Sequence, residues 1–268
     1  MVFLNELFSM RSMATISVAL ILGFVMGLGY SNFQRESGPD IPGDEMLWNR
    51  IVKNLEQKNV AEAEKWITVL RNDFPESPYC DDAMMVLANN RRNEKKYPKA
   101  EQLYTAIKSD YSQGDQFGQS LLQLSDMFLE LKKYGEAEAY LAPLEKEFAR
   151  LPEGGELYHN LVLSQFLQNK YSVAVKTADN FSQRMPESSD LARTKLLQGS
   201  IYATYLGNQA LAKDIFIGLY NATGISDDIR AEVMIKLKEQ NVYIGNFDIN
   251  PELELPVLLP APLDIITY

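Results

Sequence analysis

"YPKAEQLYTAIKSDY", residues 97–111, decides the fold because it recurs. "VAEAEKWITVLRNDF" begins at Val60, "YGEAEAYLAPLEKEF" at Tyr134 and "YSVAVKTADNFSQRM" at Tyr171, so successive copies start 37 residues apart. In register they align Ala63, Ala100, Ala137 and Ala174, followed four residues later by Ile67, Tyr104, Leu141 and Ala178. A further copy, "QALAKDIFIGLY", keeps Ala212 and Phe216 after one inserted residue. A second marker agrees: "FPESP" at Phe74 and "MPESS" at Met185 lie 111 residues apart, three periods.

A small residue with a large one a turn later is what a close helix crossing requires, since Ala lets the axes approach and the larger side chain fills the groove beside it. Upstream of each copy, apolar residues recur at helical spacing, as in Leu121, Leu124, Phe128 and Leu131, or Leu157, Leu161, Leu163 and Phe166. Pro75 and Pro186 stand where a helix has ended and the next must start. Each period therefore encodes two antiparallel helices. A unit this short cannot bury its apolar face alone, so stacked pairs are expected to form an all-α solenoid over residues 46–225 in five pairs. "DDIRAEVMIKLKEQN" reads as a capping helix within 226–245.

The pattern resembles the tetratricopeptide repeat (TPR) family. Ala100, Tyr104 and Ala137 match its second-helix positions, Gly199 and Tyr202 a first-helix pair, and Pro75 and Pro186 the terminal proline. The chain departs from it in a period of 37, in Arg91 where an aromatic is usual, and in keeping a single first-helix glycine. "FPESPYCDDA" resembles the longer-loop repeats of bacterial envelope proteins. The resemblance covers about residues 44–225 and implies a right-handed α-solenoid that binds proteins along its concave surface. In that frame the inward-facing positions hold Trp48, Met85, Asn89, Leu122, Asp126 and His159. The alternative is that these residues pack neighbouring repeats and the convex face binds. Recognition of a chaperone carboxylate terminus is discounted, because only Asn89 fits that pattern and Met85 occupies a lysine place.

Outside the repeats the chain divides into a leader (1–12), an apolar run (13–30), a linker (31–45) and a Pro-rich apolar tail (246–268). Met13 to Tyr30 is eighteen residues without a formal charge, about 27 Å as a helix, enough to cross a bilayer once. The leader carries one Arg and one Glu and the exit lacks an A-x-A site, so a retained transmembrane anchor is favoured over a cleaved signal. Ala19, Gly23 and Gly27 recur every four residues, a small-residue stripe suited to packing against a partner membrane helix. Arg11 and Arg35 nearly balance, and the amino terminus tips the orientation toward N-inside. The tail "NPELELPVLLPAPLDIITY" has four prolines and an apolar content unlike a solvated tail, so it either lies along the last repeats or adds to a partner as an extended segment.

A formal charge of −10 and a pI near 4.8, with no basic block longer than "NNRRNEKK", exclude a nucleic-acid partner, and that patch reads as a solvated helix end. Cys80 is the only cysteine and His159 the only histidine, which rules out an internal disulfide and a two-His metal site. Gly154 and Gly155 read as an interhelix loop without a P-loop lysine, and carboxylates such as those of "PLEKEF" as solvated faces. No catalytic residue, cofactor or metal is expected, and the chain is not read as an enzyme. The expected function is a membrane-anchored scaffold that binds proteins, an integral membrane protein among them, in assembling or stabilising a cell-envelope complex, with the repeats periplasmic on a bacterial inner membrane. The alternatives are an accessory subunit of a respiratory, photosynthetic, secretion or motor complex, and an envelope hydrolase using Glu and His159.

Overall fold

A computed structural model describes residues 43–240. The apolar run with Ala19, Gly23 and Gly27, and the Pro-rich tail, lie outside the described residues. Among those described, no helix is long and apolar enough to cross a membrane.

Eleven α-helices and no strand make up the described residues. In chain order they are α1 (Asp44–Glu56), α2 (Val60–Asp73), α3 (Tyr79–Asn93), α4 (Tyr97–Asp110), α5 (Gln116–Glu130), α6 (Tyr134–Leu141), α7 (Gly154–Leu167), α8 (Tyr171–Arg184), α9 (Leu191–Thr204), α10 (Gln209–Asn221) and α11 (Asp227–Glu239). The first ten pack as consecutive pairs, and the first helix of each pair also packs on the first helix of the next. Ala63, Ala100, Ala137, Ala174 and Ala212 are buried where the second helices cross their neighbours, and Ile67, Tyr104, Leu141, Ala178 and Phe216 are buried a turn on. Cys80 is buried too.

The turn inside each pair is the most regular feature. Lys58, Lys95, Lys132 and Asn169 all adopt the left-handed conformation, with φ of 59°, 59°, 58° and 62°, and Gly207 follows in the fifth pair. In each of the first four the next residue's N–H reaches five residues back, as from Lys96 to the Arg91 carbonyl at 2.8 Å and from Lys133 to that of Phe128 at 2.8 Å. This closure satisfies carbonyls that the helix end leaves unpaired and reverses the chain in three residues. Between pairs the loop is equally periodic: Ser77, Gly114, Leu151 and Ser188 donate their N–H groups to the carbonyls of Phe74, Tyr111, Phe148 and Met185.

Four readings need correction. The third copy is not one continuous second helix: α6 stops at Leu141 and gives way to 3-10 turns at Ala142–Leu144 and Phe148–Arg150. Pro143 lacks an N–H and its ring clashes with the carbonyl four residues back, so "PLEKEF" is not a helix face. Gly154 and Gly155 form the first turn of α7, not a loop. They are glycine because a Cβ at Gly154 would stand 1.9 Å from the Phe148 carbonyl oxygen, and one at Gly155 2.3 Å from Ser188 Oγ. Arg91, within "NNRRNEKK", is only 4% exposed. It donates through Nη1 to Glu94 at 2.7 Å and through Nε to Glu64 of α2 at 3.2 Å, an ion-paired tie where the TPR pattern has an aromatic. Finally, carboxylates are not confined to solvated faces, since Asp81 is buried.

Candidate functional site

The first helices α1, α3, α5, α7 and α9 lie side by side and share polar contacts from each pair to the next. Ser77 Oγ donates to Asp44 at 2.9 Å, and the Gln116 side-chain amide to Asp82 at 2.8 Å. Arg92 reaches Gln123 Oε1 at 2.6 Å and Glu130 at 2.5 Å. Asn160 Nδ2 donates to Ser125 Oγ at 2.9 Å and to Asp126 at 2.7 Å, and His159 Nδ1 lies 3.0 Å from Thr194 Oγ1.

The six residues expected to face inward lie on the first helices α1, α3, α5 and α7, with different degrees of access. Trp48 is half-buried and stacks on Tyr79 with ring centroids 5.9 Å apart. Met85 and Leu122 are each only 5% exposed and belong to the packed interior. Asn89 accepts the Tyr104 hydroxyl at 2.6 Å, so it ties α3 to α4 of its own pair. Asp126 and His159 bond to the following pair, as above. Burial raises the Asp126 carboxyl and pushes the His159 imidazole down to about 3, with Arg193 adding to the latter. Thr194 Oγ1 stands in hydrogen-bond contact with both His159 Nδ1 at 3.0 Å and the Asp190 carbonyl at 3.1 Å. A ring so reluctant to charge is a poor base at neutral pH.

A concavity on the described surface is lined by α2, α3 and α4. Glu64, Ile67, Thr68, Arg71, Asn72, Pro75, Leu87, Leu103 and Tyr111 line a cleft of about 530 Å³. Ile67, Leu87 and Leu103 give it an apolar floor, and Glu64, Thr68, Arg71, Asn72 and Tyr111 supply a polar rim. Arg71 bridges to Asp110 at 3.1 Å, and its Nε is buried without a partner. A second hollow of about 380 Å³ continues past the shared Pro75 and Tyr111 toward Glu76 and Asp81. The cleft exists only because two consecutive pairs stack, so no single stretch of sequence announces it.

A third feature missed in the sequence is an aromatic cluster at the turn edge of the last pairs. Tyr171 and Tyr205 stack with centroids 4.3 Å apart, and Phe166 meets Tyr205 edge-on at 5.5 Å. Tyr205 remains 42% exposed, beside exposed Leu206. Tyr171 was legible as a repeat marker, but its stacking on Tyr205 forms only when the fourth and fifth pairs pack together.

Comparison with known proteins agrees with this architecture. Residues 10–153, more than half of the chain, match the family model described as a tetratricopeptide repeat-like domain. The chain belongs to the tetratricopeptide repeat-like family. No curated protein matches it. Among solved structures, a TPR protein from Parabacteroides merdae is similar at 17% identity and a TM-score of 0.51, over 74% of this chain and 75% of that one. The C-terminal part of a TPR repeat-containing protein from Cytophaga hutchinsonii is similar at 15% identity and a TM-score of 0.50, over 75% of this chain and 72% of that one. At these identities the likeness is one of fold, and the tetratricopeptide assignment rests on the family match.

Proposed function

We propose that this tetratricopeptide repeat-like protein is a membrane-anchored scaffold that holds protein partners, an integral membrane protein among them, during assembly or stabilisation of a cell-envelope complex. The observation that carries the binding part is the cleft between α2 and α4, whose apolar floor and charged rim suit an inserted side chain of a partner segment. The anchor rests on the eighteen uncharged residues from Met13 to Tyr30, and the stripe of Ala19, Gly23 and Gly27 gives that helix a packing face. In this reading the repeats face the periplasm of a bacterial inner membrane, and the protein is a binder rather than an enzyme. The first-helix surface with Trp48, Asn89, Asp126 and His159 is the second place for a partner, favoured by Trp48, which stacks on Tyr79 and is partly buried.

Mass spectrometry of the gently solubilised native complex tests both sites. Thr68 and Asn72 are exposed on the cleft rim, so Thr68→Arg with Asn72→Arg should block the cleft and release the partner without unfolding the repeats. His159→Ala should retain it. Release by Trp48→Ala and Asn89→Ala alone would move the site to the first-helix surface. A mature N-terminus near Tyr30 would falsify the anchor.

A further inference from the structure

The turns inside the pairs line one edge of the repeat stack, because the pairs are antiparallel and successive first helices lie side by side. In the first three pairs the residue at the apex is a lysine in the left-handed conformation: Lys58, Lys95 and Lys132. That conformation is costly for a residue with a Cβ, and the same turn in the fifth pair uses Gly207. Strain retained at three equivalent positions points to a use for the side chain that glycine lacks. All three lysines are exposed, and among the described residues none has a carboxylate within ion-pair distance. By contrast, neighbouring Lys96 is paired with Glu94 at 3.0 Å, and Lys170 with Glu138 at 2.5 Å.

Successive apices are about 10 Å apart, the spacing of packed helices, which makes a row of cations without an ion-pair partner among the described residues, in a chain whose net charge is −10. The opposite edge is acidic, with Asp73, Glu76, Asp115 and Glu187 in or beside its loops. The cations stand on protruding turns, a shape that meets a flat anionic surface more fully than it could enclose a peptide. Lysine, a hydrated point charge without the planar fork of arginine, suits diffuse attraction over geometric recognition.

We infer that the edge bearing Lys58, Lys95 and Lys132 seats the repeats on an anionic membrane surface. The inference deepens the membrane-associated reading by fixing which edge meets the lipid headgroups.

The full-length chain, mixed with or reconstituted into vesicles, can report this through fluorophores on single introduced cysteines, since native Cys80 is buried. Gln57→Cys lies beside Lys58, and Ser112→Cys lies on the opposite edge, both exposed. With a quencher attached to the headgroups, the label at 57 should be quenched in phosphatidylcholine vesicles containing phosphatidylglycerol, but not in phosphatidylcholine alone. The label at 112 should be quenched in neither. Lys58→Asn, Lys95→Asn and Lys132→Asn together keep residues that tolerate the turn, and should weaken the surface association about 100-fold; 0.5 M salt should weaken it as well. Equal quenching in both vesicles, equal quenching of both labels, or lysine-dependent binding to polyglutamate without any quenching would each overturn the inference. Flotation with vesicles in 0.5 M salt separately tests the anchor, so its failure is distinguishable from failure of the lysine edge.

Discussion

A Cβ at Gly154 would lie 1.9 Å from a backbone oxygen, that of Phe148, which cannot swing aside as a side chain would. Gly154→Ala should therefore cost about 1–3 kcal/mol by overpacking, read as a lowered denaturant midpoint. Gly218→Ala in α10 is the matching control: nothing stands within 4 Å of its Cβ, so it should stabilise by about 0.5–1 kcal/mol through helix propensity alone. Turn apices behave oppositely. Replacing Lys95 by glycine removes about 1–2 kcal/mol of left-handed strain but gives back about 0.5–1 kcal/mol in unfolded-chain entropy, leaving a gain of about 0–1.5 kcal/mol. Lys58→Gly and Lys132→Gly should add to it independently, since the three turns share no partner, and an unchanged midpoint in the triple variant would mean the turns are unstrained. These positions show where sequence reading stops. Lysine carries no turn signal, so the period at 58, 95 and 132 is invisible beside the alanines that share it. Arg91 looked solvated because its partner Glu64 lies in another helix.

Between elements, stacking depends on what each first helix offers to the start of the next. At equivalent positions α3 carries Asp81, whereas α5 and α7 carry Gly118 and Gly155, which leave room for Glu153 and Asp190 of the following pair. Asp81 instead shares its junction with Asp82 and Asp115. Burial, then Asp115 and Asp81, push the Asp82 carboxyl up to about 6, despite the bond from Gln116. With the folded value above that of the unfolded chain, near 4, the folded state holds the extra proton between those limits. This group's contribution is therefore most favourable at low pH and is lost as pH rises from about 4 through 6. Asp82→Asn should raise the thermal midpoint at pH 7.5 and leave it unchanged at pH 4; equal shifts at both would show that charge is not the cause. The pairs themselves were legible because small and large residues recur in register, and Pro143 was legible as a helix stop once seen apart from its repeat. The acidic junction was not, since Asp115 meets Asp81 only after two pairs have stacked.

Across the whole array, burial is divided among four clusters, each drawn from neighbouring helices, so stability is expected to be a sum of local terms. The last cluster joins Leu196, Ala212, Phe216 and Leu219 to Val233 and Leu237, which α11 lays over the final pair. Val233→Asp with Leu237→Asp would put two carboxylates into that contact, and neither could stay charged there without opening it. Amide hydrogen exchange should then accelerate in α9, α10 and α11, while protection in α1 to α4 stays as in the parent chain. Loss of protection throughout would instead mean that the pairs fold as one cooperative block, since nothing in the final cluster touches the first two pairs except through the helices between them.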